Sequence, residues 1–284
     1  MTTRGALRDG TKRFGIALAW LAGFVAVAAG VVALLAWVLP VGPGSWWLAR
    51  GGAIEVAGCG VATWVVGRRL NRRTWAELGW LGAQRIPSAW LRGVGLGACA
   101  AALAIALAAA GGARLAVTPP GAEASVGPIA VGLLLAALSE ELVFRGYPLR
   151  RLAEAIGPRL AILLLAGGFA AAHLGNPDVT PLAMLNIALA GLWLSLAFFS
   201  PGGMASAWGL HFGWNATLGA LFGAPVSGYT LAARALHYTP GGPLWLGGGR
   251  FGPEGGVVGT IALVAGTVAV LGTRATAPER WVTP

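Results

Sequence analysis

The sequence predicts an all-α protein that crosses a membrane several times. Of its 284 residues, 56% are hydrophobic and only 11% are charged, whereas an ordinary soluble domain carries about 25% charged residues. Apolar runs close to the length of about 20 residues that a membrane-spanning helix needs recur along the whole chain. The expected fold class is therefore a polytopic integral membrane protein with about eight transmembrane helices.

Eight apolar stretches are the candidate spans, and each is bounded by polar, Gly or Pro residues. They are residues 14–39, 46–67, 93–110, 127–146, 160–174, 181–199, 204–223 and 256–272. The segment 70–92, in which tryptophans alternate with arginines, is predicted to lie along the membrane surface. Gly and Pro residues predict turns or loops between spans. These connections are 118–127, 175–181 and 224–256.

The chain is predicted to have three parts. Residues 1–92 hold two transmembrane helices and the basic surface segment, residues 93–223 form a core bundle, and residues 224–284 form an outer loop and the last helix. No soluble domain and no internal repeat is expected.

The basic residues predict the orientation of the chain. With eight spans, 16 of the 20 Lys and Arg residues fall on one side of the membrane. The positive-inside rule then places that side, and both chain termini, in the cytoplasm. Because these residues sit in short clusters between apolar runs, the net charge of +10 indicates topology, and no nucleic-acid partner is expected. The 16 residues are Arg4, Arg8, Lys12, Arg13, Arg68, Arg69, Arg72, Arg73, Arg85, Arg92, Arg145, Arg150, Arg151, Arg159, Arg274 and Arg280.

The fourth stretch contains three charged residues, Glu140, Glu141 and Arg145. Each costs roughly 2.5 to 3.5 kcal/mol at the centre of a bilayer, so a sequence seldom keeps such a cluster without a use for it. Residues four apart share a helix face, so Glu141 and Arg145 are predicted to form an ion pair. Glu140 is rotated by about 100° from Glu141 and is free to face elsewhere.

Two later spans carry polar pairs with the same spacing of four. Phe169 and His173 lie in the fifth stretch, and His211 and Asn215 lie in the seventh. Each pair shares one helix face, so His211 and Asn215 can point at a single target while Phe169 packs beside the His173 ring. A lone His or Asn in a membrane helix usually bonds a neighbouring helix, but three polar sites on three helices indicate a functional site.

Two other ionisable residues are expected to have ordinary roles. Glu55 in the second span is predicted to take part in helix packing near an outer interface, and His237 is predicted to lie on the surface of the outer loop.

The three polar sites resemble the CPBP family of intramembrane proteases, the CAAX-protease-and-bacteriocin-processing or Abi group. The family pattern is E-E-x-x-x-R, then F-x-x-x-H, then H-x-x-x-N or D, on successive transmembrane helices. Here the pattern reads Glu140-Glu141-x-x-x-Arg145, Phe169-x-x-x-His173 and His211-x-x-x-Asn215. The resemblance covers residues 125 to 223, and T-W-A-E-L-G-W at 74 to 80 is similar to a short lead-in of the family.

The resemblance implies roles for seven residues in peptide hydrolysis. Glu140 would be the general base, His173 would position the attacking water, and His211 with Asn215 would stabilise the tetrahedral intermediate. Structural support would come from Glu141, Arg145 and Phe169. No cofactor is needed for this scheme. Zinc is the alternative, since two histidines and a glutamate can form a three-ligand catalytic site, but H-E-x-x-H is missing and asparagine is a poor zinc ligand.

A different class of function stays open at this stage. Ionisable groups facing a bundle interior also mark transport paths, so a transporter or a catalytically silent scaffold could carry the same residues. The expected partners of a protease are the lipid bilayer and a membrane-associated protein or peptide substrate.

Composition and helix length predict the location of the site. Abundant Ala, Gly and Arg with a single Lys indicate a GC-rich genome and the cytoplasmic membrane of a bacterium. The active site is expected nearer the cytoplasmic face. At about 1.5 Å per residue, Glu140 and His211 come out roughly 10 Å inside that face and His173 nearer 20 Å.

Overall fold

The structure is a computed structural model that describes residues 3–39, 46–80, 82–117, 126–231 and 236–275. Most of residues 118–127, together with Arg234 and Arg280, lies outside the described residues. The helices are α1 (Thr3–Val38), α2 (Trp47–Ala62), α3 (Ile86–Ala110), α4 (Val126–Phe144), α5 (Gly146–Ile156), α6 (Pro158–Ala172), α7 (Pro181–Phe198), α8 (Gly203–Asn215), α9 (Leu244–Gly247) and α10 (Val257–Ala275). Two short strands, β1 (Arg114–Val117) and β2 (Leu236–Thr239), pair antiparallel.

The prediction of an all-α polytopic membrane fold is confirmed. Each of the eight apolar stretches is helical, although α2 and α8 both end in π-helical turns, at Thr63–Leu70 and Ala216–Leu221. Within the described parts of the chain, four helical segments are long and apolar enough to cross a membrane by themselves. They are Gly10–Val38, Ala83–Ala110, Val126–Ile156 and Pro181–Phe198.

The fourth stretch is longer than predicted. After a break at Arg145 the chain continues as α5, turns at Gly157 with a φ of +83°, and returns as α6, which packs against α5. Gly157 suits this turn because glycine adopts positive φ without steric cost. Glu140 lies 17 residues before Gly157 and His173 lies 16 residues after it. The predicted difference in depth stays a prediction, but the position 146 from which the depth of Glu140 was counted is followed by a further helix, α5.

Glycines bring α3 and α8 into close contact. Gly93 and Gly97 on α3 face the backbone of α8, and Gly209 and Gly213 on α8 face the backbone of α3. A Cβ on Gly97 would overlap the carbonyl oxygen of Leu210. Small residues spaced by four allow such close helix crossings in membranes, so this crossing fixes the part of α8 that carries His211.

The other early helices, α1 and α2, pack on α4 and α5. Helix α2 packs on α4 through Gly52, which touches Ala136, and through Gly132 on α4, which touches Leu48. Helix α1 lies at the periphery against α2 and α5. There the Phe24 and Tyr147 rings stack with centroids 5.7 Å apart.

The loop predicted at 224–256 is only partly a surface loop. Residues 251–256 are all buried between helices. The side-chain amide of Asn186 on α7 donates to the carbonyl oxygens of Glu254 at 2.7 Å and Gly256 at 2.9 Å. His237 lies on β2 with a partly exposed side chain. Irregular backbone at this depth is stable because it is enclosed by protein.

Candidate active site

The four residues predicted to be catalytic line one cavity. Its volume is about 560 Å³, and its walls come from α2, α4, α6, α7, α8, α10 and the segment that precedes α10. Glu140 comes from α4, His173 from the end of α6, and His211 and Asn215 from α8. Residues far apart in the sequence thus line one cavity.

Glu141 and Arg145 form the predicted ion pair beneath this cavity. The Glu141 Oε1 and Arg145 Nη1 atoms are 3.3 Å apart, and both side chains are almost completely buried. Arg145 also donates to the carbonyl oxygen of Gly191 on α7 at 3.1 Å. Its guanidinium lies 4.5 Å from the centroid of the Phe169 ring. The pair therefore joins α4 to α6 and α7 as well as stabilising α4 itself.

Glu141 has a second partner, His211, which spacing along one helix could not predict. The Glu141 Oε1 atom lies 2.8 Å from His211 Nδ1. Since an ionised carboxylate oxygen only accepts, Nδ1 carries the proton. The other ring nitrogen, Nε2, lies 3.8 Å from Glu140 Oε2. His211 is consequently held between two carboxylates, one buried and one in the cavity.

His173 is oriented by the backbone of its own helix. Its Nδ1 atom lies 2.7 Å from the carbonyl oxygen of Phe169, so Nδ1 donates and Nε2 keeps a lone pair in the neutral ring. The Phe169 and His173 rings pack with centroids 4.7 Å apart, as the spacing predicted. The Phe169 ring also lies 6.1 Å from the His211 ring. Phe169 thus separates two histidines and covers the Arg145 guanidinium.

Asn215 lies where α8 changes to π-helical turns. It is 8% exposed and lines the cavity. Such changes of helix type are frequent at functional sites, and here the π-helical turns at Ala216–Leu221 begin at the residue after Asn215.

Two further acidic residues line the cavity. Glu55 on α2 accepts a hydrogen bond from the Ser139 hydroxyl at 2.9 Å, which is the helix contact expected for it, but its side chain also borders the cavity. Glu254 was missed by the sequence analysis. Its carboxylate accepts from Trp214 Nε1 at 2.8 Å and from the backbone N–H of Ser227. Burial raises the pKa of Glu254 above its ordinary value, and the two hydrogen-bond donors offset only part of this effect.

The described residues do not fit a three-ligand metal site as they are arranged. Among them no group of three or more His, Cys, Asp or Glu side chains is placed to hold a metal ion. In the two cavity histidines Nδ1 is bonded, in His173 to a carbonyl oxygen and in His211 to Glu141, and Nε2 is the nitrogen that remains available.

The comparison with protein families agrees with the motifs. Residues 122–217 match the model of a family described as Rce1-like, type II CAAX prenyl endopeptidase. The matched range contains all three motifs, and the resemblance to the CAAX-protease-and-bacteriocin-processing family is confirmed over this range. No curated protein and no solved structure matches the chain.

Proposed function

We propose that this protein is an intramembrane endopeptidase that hydrolyses peptide bonds of membrane-associated proteins or peptides. The observation that carries the proposal is the convergence of Glu140, His173, His211 and Asn215 on one cavity, within the range that is similar to an endopeptidase family. A cavity of about 560 Å³ can enclose several residues of an extended peptide.

Glu140 is the proposed general base. Its carboxylate borders the cavity and takes a proton from the attacking water, while the lone pair on His173 Nε2 accepts the second hydrogen bond of that water and orients it. The proton held by Glu140 then passes to the leaving amine, so the carboxylate is restored when the peptide bond breaks. Positioned proton transfer of this kind contributes about 100- to 10,000-fold to the rate.

His211 and Asn215 are the proposed oxyanion donors. The Asn215 amide donates directly, and His211 donates from Nε2 when the ring is protonated. The Glu141 and Glu140 carboxylates on either side of the ring compensate the charge of an imidazolium. Donors fixed in an enclosed site stabilise developing negative charge more than water does.

The proposed mechanism uses no metal. Its rival is a zinc enzyme with the same residues, in which the metal would supply the activated water. The set of side chains favours the metal-free scheme, because asparagine is a poor zinc ligand and no three His, Cys, Asp or Glu side chains among the described residues are placed to hold a metal ion. Removal of divalent metals with a chelator separates the two, because only the zinc enzyme would lose activity.

The proposed location is the cytoplasmic membrane of a bacterium, with the cavity opening nearer the cytoplasmic side and no nucleic-acid partner. A transporter or silent scaffold remains the rival class of function. If the protein were a transporter or a scaffold, the wild type would cleave no probe, and Glu140→Gln would not change that result.

The test is cleavage by the purified protein in proteoliposomes. The probes are a peptide with a prenylated CAAX terminus and a set of single transmembrane-helix peptides, with products identified by mass spectrometry. The proposal expects cleavage of at least one probe by the wild type, none by Glu140→Gln, and full activity in Glu77→Gln, the same change at an exposed site. Equal cleavage by wild type and Glu140→Gln would refute it.

A further inference from the structure

The turn before α10 closes one side of the cavity. We define this inner turn as residues 251–256, all of which are buried. Glu254 faces the cavity from this turn, and Ser227 faces it from the loop alongside. Backbone bonding joins the two pieces, because the N–H of Gly228 donates to the carbonyl oxygen of Phe251 at 3.1 Å.

A chain of hydrogen bonds runs from His173 to this turn. The N–H of Asn176 donates to the carbonyl oxygen of His173 at 3.0 Å. The Asn176 side chain donates to the carbonyl oxygen of Ser227 at 2.9 Å. The N–H of Ser227 in turn donates to Glu254 Oε2. The wall that carries His173 is thus connected to the Glu254 carboxylate.

The same carboxylate reaches the opposite wall. Glu254 Oε1 accepts from Trp214 Nε1 at 2.8 Å, and Trp214 directly precedes Asn215 in α8. Asn186 on α7 fixes the backbone of the turn, and its own side-chain oxygen accepts from Thr260 at 2.7 Å. The position of the carboxylate is therefore set by three helices.

Direct packing does little to fix α6 relative to α8. Helix α6 packs mainly on α5 and α7, whereas α8 packs mainly on α3, α4 and α7. Apart from the Phe169 ring beside the His211 ring, the spacing of the two walls therefore depends on α7, on which both helices pack, and on other connecting residues.

We propose that Glu254 is a positioning residue that fixes the distance between His173 and Asn215 across the cavity. The inference rests on the proposed function for its catalytic consequence, although the structural link itself does not. A carboxylate suits this place because its two oxygens face two N–H donors, and both oxygens accept. Glutamine has only one accepting oxygen, so Glu254→Gln must turn its amide group toward one of the donors and lose that bond.

Backbone hydrogen exchange in detergent tests the link without any substrate. Glu254→Gln is expected to speed exchange on the order of tenfold in 173–177 and in 214–221, at a melting temperature close to that of the wild type. Trp214→Phe removes one donor and is expected to speed exchange in 214–221 alone. The matched control is Glu77→Gln, the same change at an exposed site in the surface segment, which should leave both segments unchanged. Unchanged exchange in Glu254→Gln would overturn the proposal.

Cleavage kinetics test the catalytic consequence. Small misplacement of catalytic groups costs up to about 100-fold, so Glu254→Gln is expected to lower kcat by about 10- to 100-fold with little change in KM. Because part of the effect of Glu254 passes through Asn215, the double variant with Asn215→Ala should lose less rate than the product of the two single losses. Losses that multiply in the double variant would show that Glu254 acts elsewhere and would overturn the inference. If exchange responds but the wild type cleaves no probe, the proposed function fails while the structural link stands.

Discussion

Two Glu–Arg pairs in this protein have the same spacing along the chain and the same N–O distance but opposite surroundings. In the turn at residues 73–77, Arg73 Nη1 and Glu77 Oε1 are 3.3 Å apart, and the side chains are 30% and 48% exposed. In α4, Glu141 and Arg145 are also four residues apart and also separated by 3.3 Å, but they are 0% and 1% exposed. Spacing therefore predicts that a pair forms, whereas burial decides how much the loss of one partner changes the free energy of unfolding.

The two pairs also differ in what they connect. The exposed pair belongs to a network at the molecular surface, in which Arg73 also bonds Glu154 at 2.7 Å and the side chain of Arg150 donates to the carbonyl oxygen of Glu77. That network fixes the surface segment to α5. The buried pair reaches His211 at the edge of the cavity. The exposed pair thus helps to join the surface segment to α5, whereas the buried pair helps to hold His211 at the candidate site.

The largest effect is expected at Glu140, beside the buried pair. Glu140→Gln and His173→Ala should abolish cleavage at melting temperatures close to that of the wild type, because both side chains border the cavity. Product formation by mass spectrometry and thermal unfolding in detergent are the measurements. Substantial residual cleavage by either variant would contradict the assigned roles.

The next largest effect is expected on stability, when one partner of the buried pair is substituted. Removing one partner of a buried pair costs about 3 to 5 kcal/mol, whereas removing both is often much cheaper. Glu141→Gln and Arg145→Met should each lower the free energy of unfolding by that amount, and the double variant should recover most of it. Equilibrium unfolding of all three in detergent tests this.

The activity of that double variant sharpens the comparison further. Because Glu141 also bonds His211, we expect the double variant to regain stability with only a small part of the activity. Full recovery of activity would mean that the Glu141–His211 bond is dispensable, and failure to regain stability would mean that the ion pair is not the main role of Glu141.

The next largest effect is expected when one of the proposed oxyanion donors, His211 or Asn215, is substituted. Loss of one such donor typically slows a reaction by about 100- to 1,000-fold. His211→Ala and Asn215→Ala should therefore be severely slowed but measurable, with most of the effect on kcat. Single-turnover cleavage in proteoliposomes measures it, and a change confined to KM would assign these residues to substrate binding instead.

The smallest effect is expected at the exposed pair. Arg73→Met and Glu77→Gln should each change the free energy of unfolding by less than about 1 kcal/mol, and salt should reduce the difference. Hydrogen bonds from the Thr74 backbone N–H and hydroxyl hold the pKa of Glu77 below its ordinary value. The stabilisation is thus complete above the unfolded-state pKa and is lost as the pH falls through the folded-state pKa.

The melting temperature against pH checks this last expectation. Between pH 7 and pH 3 the wild type should lose slightly more stability than Glu77→Gln. A loss from Glu77→Gln at neutral pH as large as that from Glu141→Gln would erase the distinction between the two pairs.

Much of the fold was predictable because a membrane helix can be recognised in a sequence by the length of its run of apolar residues. All eight stretches are helical, and the residues of the three motifs lie on the predicted helices or, for Arg145 and His173, directly after them. The extension of α4 through α5 was not predicted, because R-G-Y-P-L-R-R at 145–151 reads as the polar end of a span. Helix continuity there is supported by packing of α5 on α1 and α6, which a local pattern does not contain.

The site was predictable only where partners share a helix. The Glu141–Arg145 pair and the Phe169–His173 contact follow from a spacing of four. The Glu141–His211 bond joins residues 70 positions apart, and no spacing rule gives it. Glu254 carried no signal, because it lies in a Gly- and Pro-rich segment without helical periodicity.

The glycine crossing between α3 and α8 has a consequence for biogenesis. Helix α8 carries His211 and Asn215 and, among the described helices, is not one of those apolar and long enough to cross a membrane alone. Its four-residue glycine spacing matches that of α3, which leaves the ribosome about 100 residues earlier. Polar side chains disfavour the transfer of an isolated helix from the translocon into lipid. Because α3 is synthesised first, its glycine face is available when α8 is made, and we expect α8 to enter the membrane by packing on α3.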